Sequence, residues 1–175
     1  MSNKTKANPA HFTEIARTDV DKLMPIELAC HSHPWSEKTF LSCIGGRYFG
    51  EKFGAKLVGN IDKSSQESAK ALSCDHAVGF YVGEYVIGEA TLMDICVMPT
   101  EQGKGYGKIL LNRFLAQAKK LGTTKVFLEV RAKNIAAQML YMNAGFIEIN
   151  RRTGYYPSSS GFGYEDAIVM SLVCK

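Results

Sequence analysis

Apolar positions recur along this chain with two periods, and the switches between them mark its elements. Over 18–32 (TDVDKLMPIELACHS) Val20, Leu23, Met24 and Leu28 fall at helical spacing, with Asp19 or Thr18 as the cap of a first helix. In HSHPWSEKTFLSCI, Ser36 is a favourable N-cap for a second, short helix holding Phe40 and Leu41. RYFGEKFGAKLVGN (47–60) reads as a strand or hairpin, and the polar, Ser- and Lys-rich run 59–75 as an inserted surface loop. Two strands follow, about 76–83 and 86–98, joined near Gly83-Glu84 and closed by Pro99.

A helix then runs to about Leu121, with Ile109, Leu110, Phe114, Ala118 and Leu121 on its apolar face and Gly122 as its C′ residue. KVFLEV (125–130) has the Val/Phe/Leu density of a buried strand. Asn134 caps a helix over 135–144 that Gly145 ends, and FIEINRRTGYY and DAIVMSLV form two last strands around a Gly/Ser-rich loop. The order ααβββαβαββ predicts a mixed α/β domain with one sheet, spanning 12–175 behind a flexible tail of residues 1–11.

Composition narrows the class. At 175 residues, 46% hydrophobic and 22% charged, the chain is long enough for one real core. No apolar run approaches the roughly 20 residues that span a bilayer, and the polar N-terminus has no secretory h-region. The five cysteines are scattered and never spaced C-x-x-C, which predicts free thiols in a reducing cytoplasm. No Cys, Asp or Glu cluster accompanies His31 and His33 at ligand spacing, so they read as surface or loop residues and no metal is expected. A net charge of +4 suits an anionic cofactor or a ribosomal setting and does not signal direct nucleic-acid binding.

EQGKGYGKILLNRF (101–114) carries the chemistry. Gly103, Gly105 and Gly107 alternate immediately before a helix, where unpaired N–H groups favour negative charge. Three residues between Gly103 and Gly107, and Ile109 after Lys108, exclude a Walker A loop. G-x-G-x-G also fails the dinucleotide spacing.

Gln102-x-x-Gly105-x-Gly107, after a strand and opening a helix, resembles the acetyl-CoA signature of the GNAT superfamily of N-acetyltransferases. PWSEKTF, EATLMDICV, LEVRAKNIAAQMLYMNAGF and RRTGYYPSSSGFGYEDAIVM resemble successive segments of its branch acting on ribosomal-protein N-termini. The resemblance covers residues 12–172, and departs from the branch in the 59–75 insertion and the longer tail. It implies a GNAT fold: a mostly antiparallel sheet with one parallel central pair, and helices on both faces. It also implies acetyl transfer from acetyl-CoA to a protein N-terminal amine, with the N-terminal alanine of small-subunit ribosomal protein eighteen as the acceptor. The chain is then expected to work in the cytoplasm, off the membrane, as a monomer or weak dimer.

Gln102, Gly103, Lys104, Gly105, Tyr106, Gly107 and Lys108 are the expected cofactor loop, whose N–H groups wrap the pyrophosphate while the lysines add charge. By resemblance the backbone of Ile95, Cys96 and Val97 pairs with pantetheine, and Asn134 adds a hydrogen bond to its capping duty. Cys96 as an acyl-carrying nucleophile is the alternative, without a base positioned by sequence.

An α-amine with a pKa of about 7.7–8.0 needs only a modest base. Glu129, the one charge in KVFLEV after Lys125, is the candidate, against a plain ion pair with Arg131. Tyr141, two turns beyond Asn134, is the candidate acid for the leaving thiolate, against a core tyrosine. The resemblance gives the matching residues these roles. It also places Trp35, Tyr155, Tyr156 and Pro157 near the acceptor. If the acceptor carries a basic second residue, acidic groups such as Asp94 or Glu165 would complement it. Two rivals stay open: a GNAT acting on lysine or a small amine, and a non-catalytic CoA-binding module.

Overall fold

The computed structural model describes residues 11–54, 77–158 and 161–174. The predicted tail up to residue 10 and the predicted insertion at 59–75 lie outside them. The elements in order are β1 (His11–Glu14), α1 (Val20–Cys30), α2 (Glu37–Ser42), β2 (Tyr48–Gly54), β3 (Ala77–Val86), β4 (Glu89–Val97), α3 (Tyr106–Lys120), β5 (Lys125–Arg131), α4 (Ile135–Asn143), β6 (Ile147–Pro157) and β7 (Tyr164–Val173). They build a seven-stranded sheet ordered β1-β2-β3-β4-β5-β7-β6, antiparallel throughout except for the parallel pair β4–β5.

Two apolar layers cover the sheet. On one face Leu110, Leu111, Phe114 and Ala118 of α3, with Tyr141 of α4, pack on Tyr81, Leu92, Val97, Val126, Leu128 and Val130. On the other, Val20, Leu23 and Ile26 of α1, with Phe40 of α2, cover Phe80, Val82 and Cys96. The adjacent residues Phe80 and Tyr81 enter opposite layers, as the two-residue strand period requires. Ser36 caps α2 by accepting from the Thr39 N–H, as its position predicts.

Three expectations need correction. His11–Glu14 is an edge strand that four residues were too few to announce. The turn between β3 and β4 is at Ile87-Gly88, not Gly83-Glu84. Ile87 adopts a left-handed φ of 44°, a conformation a β-branched residue rarely signals. Gly83 lies inside β3, where a Cβ would stand 2.6 Å from the Phe49 ring and 2.7 Å from that of Phe114. Finally, Leu28, Ile109 and Leu121 are exposed, and Ile26 and Leu111 take the inward positions.

Of the irregularities in the sheet, the one in the β3–β4 ladder shapes its centre. Val82 pairs with Asp94 but Gly83 pairs with Leu92, so Met93 is surplus in the β3–β4 ladder. The parallel β4–β5 ladder stops at the same point, Leu92 opposite Leu128, although β4 continues to Val97 and β5 to Arg131. A bulge bends and twists the strand that carries it, so the two strands part there.

Candidate active site

The parting of β4 and β5 opens a cleft of about 610 Å³ through the sheet. Residues from both faces therefore line it: Asp94, Glu129 and Arg131 from the α1 side, and Ile95, Val97, Leu128 and Val130 from the α3 side. Tyr141 and Asn134 of the α4 segment join them, with Gln102, Gly103 and Gly105–Lys108. Glu27, His31, His33, Trp35 and Tyr156 line it as well.

The glycine loop has an open concave geometry. Gly103 and Gly105 sit at φ of 76° and 85°, and a Cβ on either would meet no atom of the described residues within 4 Å. Gly107 has an ordinary φ, and its Cβ would meet only Leu140 at 3.5 Å. The first helical hydrogen bond of α3 runs from Ile109 N–H to Gly105 O at 3.2 Å, and among the described residues no side chain caps this end. The N–H groups before Ile109 thus face the cleft region without helical partners, at the positive end of a 15-residue helix. Gln102 folds back, its Nε2 donating to Val97 O at 3.0 Å, and ties the loop to the end of β4. Lys108 lines the cleft, whereas Lys104 does not and pairs with Glu101 at 2.8 Å.

Glu129 is partly exposed, and its partner is not Arg131 but Arg152, whose Nη2 lies 2.8 Å from Oε1. Arg131 instead pairs with Glu165, donates to Pro157 O at 2.9 Å and lies over the Tyr156 ring at 4.3 Å. Glu165, buried and paired with Arg131 and, at 3.6 Å, with Lys133, does not line the cleft. Tyr141 is buried, edge-on to Phe146. Burial, and then the negative charge of Asp94, push its hydroxyl above the usual phenol range, so it stays a proton donor. Asn134 Oδ1 accepts from the Ala137 N–H at 3.1 Å, fulfilling the cap while lining the cleft. Tyr156 lines the cleft; Tyr155 does not, lying half-exposed against Arg152.

Cys96 differs from its neighbours. Its side chain is buried on the α1 side, off the cleft lining, with His31 Nε2 3.0 Å from Sγ. A hydrogen bond with Cys30, then burial, push the thiol up, which disfavours the nucleophile alternative despite that nearby imidazole. His31 lies in the loop just past α1, as expected, but it has the acidic neighbours that its spacing does not announce. Its Nε2 meets Asp94 Oδ1 at 3.0 Å and Glu27 Oε2 at 3.5 Å. Glu27 is buried in α1 and its carboxyl is pushed up to about 7, by burial and then by Asp94. Trp35 donates its backbone N–H to the other oxygen of Glu27 at 2.7 Å. Residues 27, 31 and 94 are too far apart in sequence for spacing to announce the cluster. The helical i,i+4 pair Glu27/His31 and the strand pair Asp94/Cys96 are its only local traces.

The chain belongs to one class of enzymes: its residues 20–146 match the acetyltransferase (GNAT) family. Within that family the likeness is closer still to one group of enzymes. The chain is 36% identical over 158 residues to the [ribosomal protein bS18]-alanine N-acetyltransferase of Salmonella typhimurium, covering 90% of this chain and 93% of that one. The Escherichia coli (strain K12) enzyme of the same name is 36% identical over 161 residues, covering 92% and 95%. The crystal structure of the ribosomal-protein-S18-alanine N-acetyltransferase from Escherichia coli superposes with a TM-score of 0.77 at 34% identity, over 94% of each chain. Arabidopsis thaliana NAA60 in complex with acetyl-CoA shares the fold, with a TM-score of 0.74 at 18% identity over 94% of this chain and 98% of that one.

Proposed function

We propose that this chain transfers the acetyl group of acetyl-CoA to the N-terminal amine of a protein, the alanine of ribosomal protein bS18 being the acceptor. One observation carries the reading: Glu129 and Tyr141 line the same cleft as the uncapped, glycine-led start of α3. The names of the relatives in Salmonella typhimurium and Escherichia coli give the acceptor.

The residues fit acetyl-CoA on chemical grounds. The loop leaves open space beside Gly103 and Gly105, and its N–H groups and Lys108 suit a pyrophosphate. Beyond Leu92 the β4 backbone has no β5 ladder, and it can accept an extended pantetheine arm as an added strand. Bound there, acetyl-CoA supplies an activated thioester carbonyl.

The protein moves protons on either side of that carbonyl. Glu129 takes the amine proton, directly or through water, as nitrogen attacks the acetyl carbon. The C–S bond breaks, and Tyr141 gives its hydroxyl proton to the sulfur, so one proton enters and one leaves the protein. Tyr141 recovers its proton from solvent through the open cleft. The absence of Cys96 from the lining supports direct transfer in a ternary complex over an acyl-enzyme.

The test uses two peptides with acetyl-CoA, one with a free N-terminal alanine and one blocked there but holding an internal lysine. Mass spectrometry is expected to find the acetyl group on the free α-amine alone. Modification of lysine alone would overturn the acceptor assignment.

A further inference from the structure

We infer that Glu27, His31, Asp94 and Cys96 form a site for one divalent transition-metal ion of the zinc class, on the wall where α1 meets β4. This inference rests on the four side chains and is independent of the acceptor.

One ligand atom from each of Glu27, His31, Asp94 and Cys96 lies within 4.8 Å of the other three. The imidazole nitrogen is 3.0 Å from Asp94, 3.0 Å from the thiol and 3.5 Å from Glu27. The thiol is 3.4 Å from Glu27 and 3.5 Å from Asp94. Donors about 2.0–2.3 Å from a tetrahedral zinc ion stand roughly 3.3–3.6 Å from each other, so the shortest of these edges opens by roughly half an ångström. The four donors already approximate the tetrahedron. Glu27 lies in the last turn of α1 and His31 is the C-cap residue just past it, while Asp94 and Cys96 share one face of β4.

Three further observations point to a ligand. Asp94 is buried, and its Oδ2 has no hydrogen-bond partner among the described residues. A buried carboxylate oxygen left in this way is costly, and charge on the ion beside it offsets that cost. The second oxygen of Glu27 is held by the Trp35 N–H, the outer restraint that orients a metal-binding carboxylate. The His31 side chain is 37% exposed, giving an ion a way in from the cleft.

Donor chemistry selects the metal. Two carboxylates and a thiol crowd together with a single imidazole, an arrangement short of positive charge. One nitrogen, one sulfur and two oxygens suit zinc or cobalt, whereas calcium and magnesium require oxygen donors. Binding deprotonates the thiol, as coordination does generally.

Cobalt(II) titration of the full, untagged chain, stripped beforehand with a chelator, provides the test. One equivalent is expected to give the intense visible bands of four-coordinate cobalt and a sulfur-to-cobalt charge-transfer band, both discharged by zinc. Cys96→Ser should abolish the charge-transfer band. His31→Ala, at the exposed donor, should weaken cobalt binding by about tenfold or more while circular dichroism stays unchanged. His31→Ala keeps the test decisive if Cys96→Ser does not fold. A wild-type chain without the four-coordinate spectrum would overturn the inference. So would a charge-transfer band that persists in Cys96→Ser, or cobalt binding unaltered in His31→Ala.

Discussion

Arg152 on β6 reaches across β7 to place its guanidinium 2.8 Å from the Glu129 carboxylate on β5. The contact leaves one carboxylate oxygen for a water or an amine, and it orients the side chain that the proposed mechanism asks to accept a proton. Glu129→Gln keeps the shape and removes the base. It is expected to lower kcat on the order of a hundredfold or more, the usual weight of a positioned acid or base. Both partners are partly exposed, so the stability loss in urea unfolding should stay under about 1 kcal/mol. Unchanged turnover would exclude Glu129 from the chemistry.

Tyr141→Phe removes one hydroxyl from a buried ring and preserves its contact with Phe146. The expected result is a drop in kcat of roughly a hundredfold with little change in acetyl-CoA affinity. Because the hydroxyl's pKa lies above the usual phenol range, it remains protonated across the working range. The wild-type kcat should therefore show no alkaline fall below about pH 10 from this group. A fall near neutrality that vanished in Tyr141→Phe would contradict this.

The loop glycines should separate by conformation. Gly105→Ala forces a Cβ into a left-handed position, costing roughly 1–2 kcal/mol of stability and weakening acetyl-CoA binding. Gly107→Ala meets only an ordinary contact with Leu140 inside a helix and should fold with stability within about 0.5 kcal/mol of wild type. Thermal melts and acetyl-CoA titrations of both variants decide it. Equal loss from the two would contradict the conformational argument.

Glu51 on β2 holds α3 through hydrogen bonds from Arg113 at 2.6 and 2.7 Å, and it accepts from the Tyr81 hydroxyl at 2.7 Å. Burial raises its pKa, but Arg113 and Tyr81 outweigh burial and the net shift is downward. A depressed carboxylate contributes stability above its unfolded pKa, and that contribution disappears as pH falls through the folded value. Acid titration followed by urea unfolding should show the loss starting below about pH 4.5. Glu51→Gln should remove this part of the pH dependence and cost about 2 kcal/mol at neutral pH, the Arg113 side being a third exposed.

Features that depend on a few adjacent residues are legible in the sequence. The Ser36 and Asn134 caps, the glycine loop and the ends of α3 and α4 each follow from local backbone demands. Glu129 and Tyr141 are legible because a charge in a buried strand and a tyrosine at helical spacing from a cap stand out locally. Contacts across the sheet leave no such trace. Arg152, rather than Arg131, meets Glu129 because strand order places β6 beyond β7. The His31 cluster joins residues more than 60 positions apart. Ile87 in a left-handed turn and Gly83 in a strand break the usual preference at both positions, so local propensity puts the hairpin four residues early.

Met93 gives the cleft an arithmetic origin. Ala90, Leu92, Ile95 and Val97 all face α3, and only a surplus residue between the two pairs allows it. Deleting Met93 would restore plain alternation and leave each of those side chains in its present layer. The shortened β4 could then zip against β5 as far as Arg131. Such a chain would keep its core and lose its cavity: the active site is the space occupied by one spare peptide unit.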